Sequence, residues 1–389
     1  MMGGYLPEEV SLAGAAGCGQ FRLWHWDCMD VFVYFSHHMV SIPPKGWVHA
    51  AHKHGVKVLG TFITEFGQGR QRCNRLFASR AAAQAVADQL VAVARHYGFE
   101  GWLVNIENAL SGDQVQAMLH FVGYLRARMA ATRPQGMVVW YDAVTTAGEL
   151  RWQNKLCPEA NGPFFDLADA LFLNYCWKPA ALPETAAAAG ARAHDVFVGV
   201  DVYGRGCFGG GGHNTHLALA AAKAAGLSAA LFAPGWVHEN LDKARFPELQ
   251  EQWWNKVQGA WACSHAVLCS LPFSSSFNAG AGLAWFEAGR LVASRPPTAA
   301  ADGDDDEAPA GRGVGKGDAD TSSRSSSTGD TSSSSRGGRC RNSSTHRCSQ
   351  QSGNRSRSSC KHICSILCAA TTGSGSSRAV VCAAAVVPC

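Results

Sequence analysis

The stretch Gly101-Trp102-Leu103-Val104-Asn105-Ile106-Glu107-Asn108 places an amide and a carboxyl two residues apart at the end of an apolar run. On a strand Leu103, Asn105 and Glu107 share one face, with Asn105 and Glu107 about 6–7 Å apart. A carboxyl held partly out of water stays protonated near neutral pH and can hand its proton to a leaving oxygen. Most retaining glycosidases pair such an acid with a second carboxylate about 5–5.5 Å away that acts as nucleophile. Here the matching position is a neutral amide, which cannot attack. A 2-acetamido sugar removes that need, because its own carbonyl oxygen serves as nucleophile. The protein must then accept a hydrogen bond from the acetamide N–H and stabilise the positive charge that develops. Asn105 has the chemistry for this, and Tyr141, at the end of the next run, could touch the same group. An isolated Asn-x-Glu is more often a solvated strand end; the buried run leading into this one favours the chemical reading.

Such a pair has to be carried by a framework. Short β-rich runs cover residues 31–35, 56–63, 101–106, 137–141, 170–175, 196–202, 229–232 and, less clearly, 271–277, with helix-forming stretches such as 79–96, 114–131 and 217–225 between them. Apolar runs separated by helices indicate a parallel sheet covered on both faces. About eight units in 250 residues favour a closed (β/α)8 barrel over an open sheet. The glycine-rich stretch 204–212 follows a late run, so the open dinucleotide-binding alternative has no fingerprint. In a barrel the chemistry sits at the C-terminal strand ends. Those ends carry His37, His38, Glu65, Asn105, Glu107, Tyr141, Asp142, Asn174, Tyr175, Asp201 and Trp236. The pair His52 and His54 precedes its run, on the opposite face, which argues against a metal-dependent hydrolase; neither metal nor cofactor is expected.

All 12 Trp and all 18 Phe lie before Arg290, so residues 1–290 read as the barrel and residues 295–389 as a disordered tail rich in Ser, Gly, Arg and Cys. A net charge of +4 is too small to argue for nucleic acid. No apolar stretch approaches the roughly 18–20 residues of a membrane span. The N-terminus lacks the pattern of a secretory signal, and the 15 cysteines fit no disulfide framework, so reduced thiols and the cytosol are expected. The tail segment 360–368 has Cys and His but no second cluster at zinc-site spacing.

Seven segments carry a resemblance: VFVYFSHHMVSIPPKGW (31–47), HKHGVKVLGTFITEF (52–66), YGFEGWLVNIEN (97–108), VVWYDAV (138–144), FLNYCW (172–177), VGVDVYGRG (198–206) and ALFAPGWVHE (230–239). In this order they resemble glycoside hydrolase family 85, the cytosolic endo-β-N-acetylglucosaminidases. The resemblance implies a (β/α)8 barrel that hydrolyses the β-1,4 bond of the chitobiose core in N-linked oligosaccharides, glycopeptides or free oligosaccharides. It implies Glu107 as general acid/base, Asn105 as the residue orienting the 2-acetamido group, and Tyr141 lining an oxazoline intermediate. Trp152, Trp177 and Trp236 become sugar-stacking platforms, and His37, Glu65, Asn174, Asp201 and Arg205 polar contacts to glycan hydroxyls. Residues 1–5 resemble the loop after the family's first strand, so that strand is expected upstream of Met1 and the barrel is expected to have an open edge. Two other readings stand beside this one: a non-catalytic glycan-binding barrel, and a two-carboxylate glycosidase pairing Glu107 with Glu65 or Asp142.

Overall fold

The computed structural model describes Tyr5, Glu9, residues 21–133 and 135–261, and the strands at 284–287, 290–294 and 380–384. All of them belong to one compact unit made of residues 1–300 and 375–389. The strands are β1 (Val31–Tyr34), β2 (Val40–Ser41), β3 (Lys57–Glu65), β4 (Gly101–Glu107), β5 (Met137–Tyr141), β6 (Ala170–Leu173), β7 (Val196–Asp201), β8 (Ser228–Phe232), β9 (Ala284–Glu287), β10 (Arg290–Ser294) and β11 (Val380–Ala384). Seven of the expected runs are therefore strands, while the run at 271–277 lies outside the described residues.

Parallel pairing runs from β1 to β3 and then in order through β8. The short β2 lies antiparallel to the upper part of β3. The helices between strands start and stop where their sequences say they should. Helix Arg80–Tyr97 is capped by the Ser79 side chain, which accepts from the Ala82 N–H at 3.1 Å, and ends at Gly98 in the left-handed region (φ 82°). Helix Gly112–Thr132 opens with a capping box between Ser111 and Gln114.

Alternation along each strand divides the core in two. Val31, Val33, Leu59, Leu103, Val139, Phe172, Phe197 and Ala230 fill the barrel interior. Trp102, Val104, Ile106, Val138, Trp140, Leu171 and Val198 face outward and pack under the helices, where the Trp102 indole donates to the Leu90 carbonyl at 3.2 Å. Both layers are dry, as a parallel sheet covered on both faces requires.

The C-terminal part of the chain departs from expectation. Strand β11 lies parallel to both β8 (Val380↔Ala229 to Ala383↔Phe232) and β1 (Val31↔Val381 to Tyr34↔Ala384). The ring β1–β3–β4–β5–β6–β7–β8–β11 is thereby closed with eight parallel strands, and the expected open edge is occupied. An open barrel would leave the N–H and C=O groups of two inward-curving edges unpaired. The run Val380-Val381-Cys382-Ala383-Ala384 is apolar and begins with two β-branched residues, so it suits that slot; the polar composition of the surrounding tail conceals it. Counted from β11, the strand ending in Glu107 is the fourth in the ring. Strands β9 and β10 form a separate antiparallel pair across the expected boundary at residue 290. The cysteine-rich stretch 360–368 and the rest of the expected tail lie outside the described residues.

Deleting residues 375–389 should remove two parallel ladders and lower the melting temperature by roughly 5–10 °C. Self-association through the exposed edges should accompany it. Calorimetry and light scattering check this; an unchanged melting curve would show that β11 does not hold the barrel shut.

Candidate active site

Inward side chains at the C-terminal strand ends enclose a cavity of about 240 Å³. Strand β4 supplies Leu103, Asn105 and Glu107 to its wall, while Trp102, Val104 and Ile106 point into the outer core. The two-residue spacing read from the sequence thus brings the amide and the carboxyl into one chamber. The Asn105 Nδ2 donates to Glu107 Oε1 at 3.2 Å. The opposite atom, Asn105 Oδ1, is buried and has no hydrogen-bond partner among the described residues. Leaving a buried acceptor unpaired costs about 1–3 kcal/mol. Such an atom is a standing invitation to an N–H donor.

Burial pushes the Glu107 carboxyl above its ordinary range. The hydrogen bond from Asn105 opposes that rise, the Glu65 charge reinforces it, and the His37 charge again opposes it. Register explains the Glu65 effect: β3 and β4 pair Ile63 with Asn105 and Glu65 with Glu107, one strand spacing apart. Glu65 is itself engaged, since His37 Nδ1 lies 3.0 and 3.1 Å from its two oxygens. That bond raises the His37 pKa against the opposing effect of burial, so the imidazole tends to carry a positive charge beside the two carboxyls.

Tyr141 comes into the same cavity from β5. Its hydroxyl donates to Asn174 Oδ1 at 2.9 Å. Burial, with the Glu107 and Asp142 charges adding to it, holds its pKa well above the usual value, so it remains a neutral phenol. Trp152 lines the mouth with 39% of its surface exposed, as a platform must. Arg205 also lines it, its guanidinium fixed by Asp201, whose Oδ2 lies 2.7 Å from Nε and Oδ1 3.2 Å from Nη2. Asp201 is fully buried and does not line the cavity; it bears on it by fixing Arg205.

Two of the expected platforms stand elsewhere. Trp177 is buried, tilted against Phe208, and its indole N–H is spent on the Gly199 carbonyl at 2.7 Å. Position 199 has to be glycine, because a Cβ there would collide with the Leu173 carbonyl and the Tyr175 ring. Trp236 opens helix Trp236–Asn240, half-buried, edge-on to His213 and above Gly212. Neither ring lines the cavity. Of the pair considered for metal, His52 bonds Glu100 at 2.9 Å and His54 bonds the Ala50 carbonyl at 2.7 Å, both on the far side of β3. Asp142 is buried with both oxygens occupied and does not line the cavity, so it cannot serve as a nucleophile.

Sequence reasoning overlooked Phe35, Phe172 and Phe232, which supply apolar wall beside Tyr175. Phe172 stands two residues before Asn174, so the same alternation that picked out Asn105 could have found it. Tyr175, expected at the mouth from its place at the run's end, reaches inward because the chain leaves β6 at Leu173 and turns.

The family model for glycosyl hydrolase family 85 matches residues 5–285. The chain is 44% identical over 296 residues to cytosolic endo-beta-N-acetylglucosaminidase 2 of Arabidopsis thaliana, covering 76% of this chain and 42% of that protein. It is 45% identical over 283 residues to the cytosolic endo-beta-N-acetylglucosaminidase of Homo sapiens, covering 72% and 38%. Among solved structures, the glycoside hydrolase domain of Endo-D from Streptococcus pneumoniae aligns with a TM-score of 0.47 and 19% identity over 64% of this chain and 47% of that one. The chain spans less than half the length of these curated relatives.

The two tryptophans should separate by stability. Trp177→Ala is expected to lose about 3–5 kcal/mol in chemical denaturation. Trp152→Ala, half in solvent, should stay within about 0.5 kcal/mol of the parent. Equal losses would contradict this division into core and rim.

Proposed function

The chain belongs to glycosyl hydrolase family 85, and from that membership we propose that it is an endo-β-N-acetylglucosaminidase acting on the N,N′-diacetylchitobiose core of N-glycans, with retention and through an oxazoline. Its substrates are N-linked oligosaccharides, glycopeptides or free oligosaccharides, and its compartment is the cytosol, in keeping with the names of its relatives. Neither nucleic acid nor membrane enters the proposal; among the described residues no helix is long and apolar enough to cross a bilayer.

Protonated Glu107 gives its proton to the glycosidic oxygen as the bond to the anomeric carbon breaks. The substrate's acetamido carbonyl oxygen attacks that carbon from the opposite face and closes the ring as a protonated oxazoline, the nitrogen keeping its proton. Asn105 Oδ1 accepts the acetamide N–H, aims the carbonyl and shares the positive charge. Glu107, now a carboxylate, takes a proton from the water that reopens the ring, and the second displacement restores the original configuration. The observation that carries this reading is the unpaired Oδ1 of Asn105, next to a carboxyl whose pKa burial has raised. The two-carboxylate alternative has less to draw on, because Glu65 is bound to His37 and Asp142 is sealed behind the wall.

Release of free glycan from a high-mannose glycopeptide is the direct measurement, and Glu107→Gln should lower it by at least about 10²-fold. A thiazoline analogue of the acetamido sugar should inhibit tightly, as a mimic of the cyclised intermediate. Binding without turnover in the parent would instead identify a glycan-binding barrel.

The acid must be protonated to act, so the alkaline limb of kcat/KM reports Glu107 in the free protein. The positive charge of His37 stabilises the Glu107 carboxylate. His37→Gln removes that charge, the Glu107 pKa rises, and the alkaline limb should move to higher pH. A shift to lower pH would show that His37 does not act on Glu107 through its charge.

A further inference from the structure

We propose that Asp142 and Asn154 are positioning residues for Tyr141, forming a latch that fixes the phenol through the Asn174 amide. The inference rests on the reading above, in which Tyr141 lines the reaction chamber. Each link is a single hydrogen bond. The Tyr141 hydroxyl donates to Asn174 Oδ1 at 2.9 Å. The amide nitrogen of Asn174 donates to Asn154 Oδ1 at 2.8 Å, and the Cys176 N–H donates to the same oxygen at 2.9 Å. The backbone N–H of Asn154 donates to Asp142 Oδ2 at 2.7 Å, while the Gln153 N–H and the Asn161 side-chain amide take Oδ1 at 3.2 and 2.9 Å.

Two features mark this as a built device. Asn154 stands at φ 57°, a left-handed conformation that asparagine tolerates better than most non-glycine residues and that its surroundings here over-determine. The over-determination is visible, with its N–H held by Asp142 and its Oδ1 held by two donors. The second feature is a buried carboxyl just after β5 with no ion pair among the described residues, its oxygens turned away from the cavity onto the loop at 153–154. The orienting consequence falls on Asn174. A primary amide can present either end to a neighbour; because Asn154 claims the nitrogen, Asn174 must turn its carbonyl to Tyr141. The proton of the phenol is thereby directed along the wall, and its ring is held against the chamber that Asn105 and Glu107 share. The loop that carries Asn154 also carries Trp152, so one anchor sets both the phenol and the rim platform.

Asn154→Gly is the informative variant, since glycine adopts this φ without strain yet lacks the acceptor; Asp142→Asn keeps the shape of the anchor but removes one acceptor oxygen. With the full chain and a high-mannose glycopeptide, Asn154→Gly should lower kcat about tenfold with KM within about threefold. Adding it to Tyr141→Phe should slow that variant by less than about twofold, because both changes act on one hydroxyl. Multiplying effects, or an unchanged kcat in an active parent, would overturn the latch. A readout independent of turnover is the Cζ resonance of 13C-labelled tyrosine. The Tyr141 signal, assigned by Tyr141→Phe, should move in Asn154→Gly and Asp142→Asn while those of Tyr97 and Tyr124 stay in place. If the parent does not release glycan and the signal still moves, the latch stands and the proposed activity falls. If the signal stays in place in both variants, the latch is refuted whatever the activity.

Discussion

A parallel strand turns successive side chains to opposite sides, and the phase of β4 is the constraint from which the rest of the site follows. With Trp102, Val104 and Ile106 fixed beneath the helices, Leu103, Asn105 and Glu107 have to face the barrel interior. The outward residues are apolar and fully buried, so slipping the strand by one residue would force Trp102 into the barrel interior and bury the Glu107 carboxyl in the outer core. The catalytic phase is therefore held by hydrophobic packing on the other face of the same strand.

Once inside, the two groups are governed by a shortage of water. Desolvation raises Glu107, and the parallel register sets Glu65 beside it. His37, drawn in by Glu65, supplies the compensating positive charge. Asn105 satisfies Glu107 with its nitrogen and leaves its own oxygen unpaired. A buried acceptor without a partner is costly, and a donor placed against Asn105 Oδ1 would recover that cost. Rigid supports surround it: Asp201 clamps Arg205, and Asn174 is tied to the loop at 153–154.

Closure of the ring by β11 belongs to the same economy of backbone pairing. A barrel distributes strain and fixes the positions of its mouth only if no strand is free to splay. Strands β1 and β8 carry Tyr34 and Phe232 near that mouth, and each is paired on both sides. Phe35 and Phe232 meet edge to face at 5.2 Å across the closing seam, so apolar contact joins the two strands above the point where β11 lies between them.

Much of this was legible in the residues alone. Local signals determined the alternation of strands and helices, the limits of β5 to the residue, the capped ends of the long helices, and the common face of Asn105 and Glu107, because each depends on neighbours a few positions apart. The placement of the tryptophans was not legible: Trp152 and Trp177 both follow strand ends, yet one meets solvent and the other meets the Gly199 carbonyl, a partner 22 residues away. Nor was the ring's last strand, since the short apolar run at 379–387, after a long polar stretch, acquires meaning only beside the two edges it joins. The same holds for Asp142, whose four neighbours in sequence say nothing of Asn154 and Asn161 folding back over it. Sequence by itself determined which groups could do the chemistry and which way a strand would turn them, since those are properties of short stretches. Tertiary structure alone decided which of them reach the chamber, what charge stands beside them and what holds them still, because these depend on contacts between segments far apart in the chain.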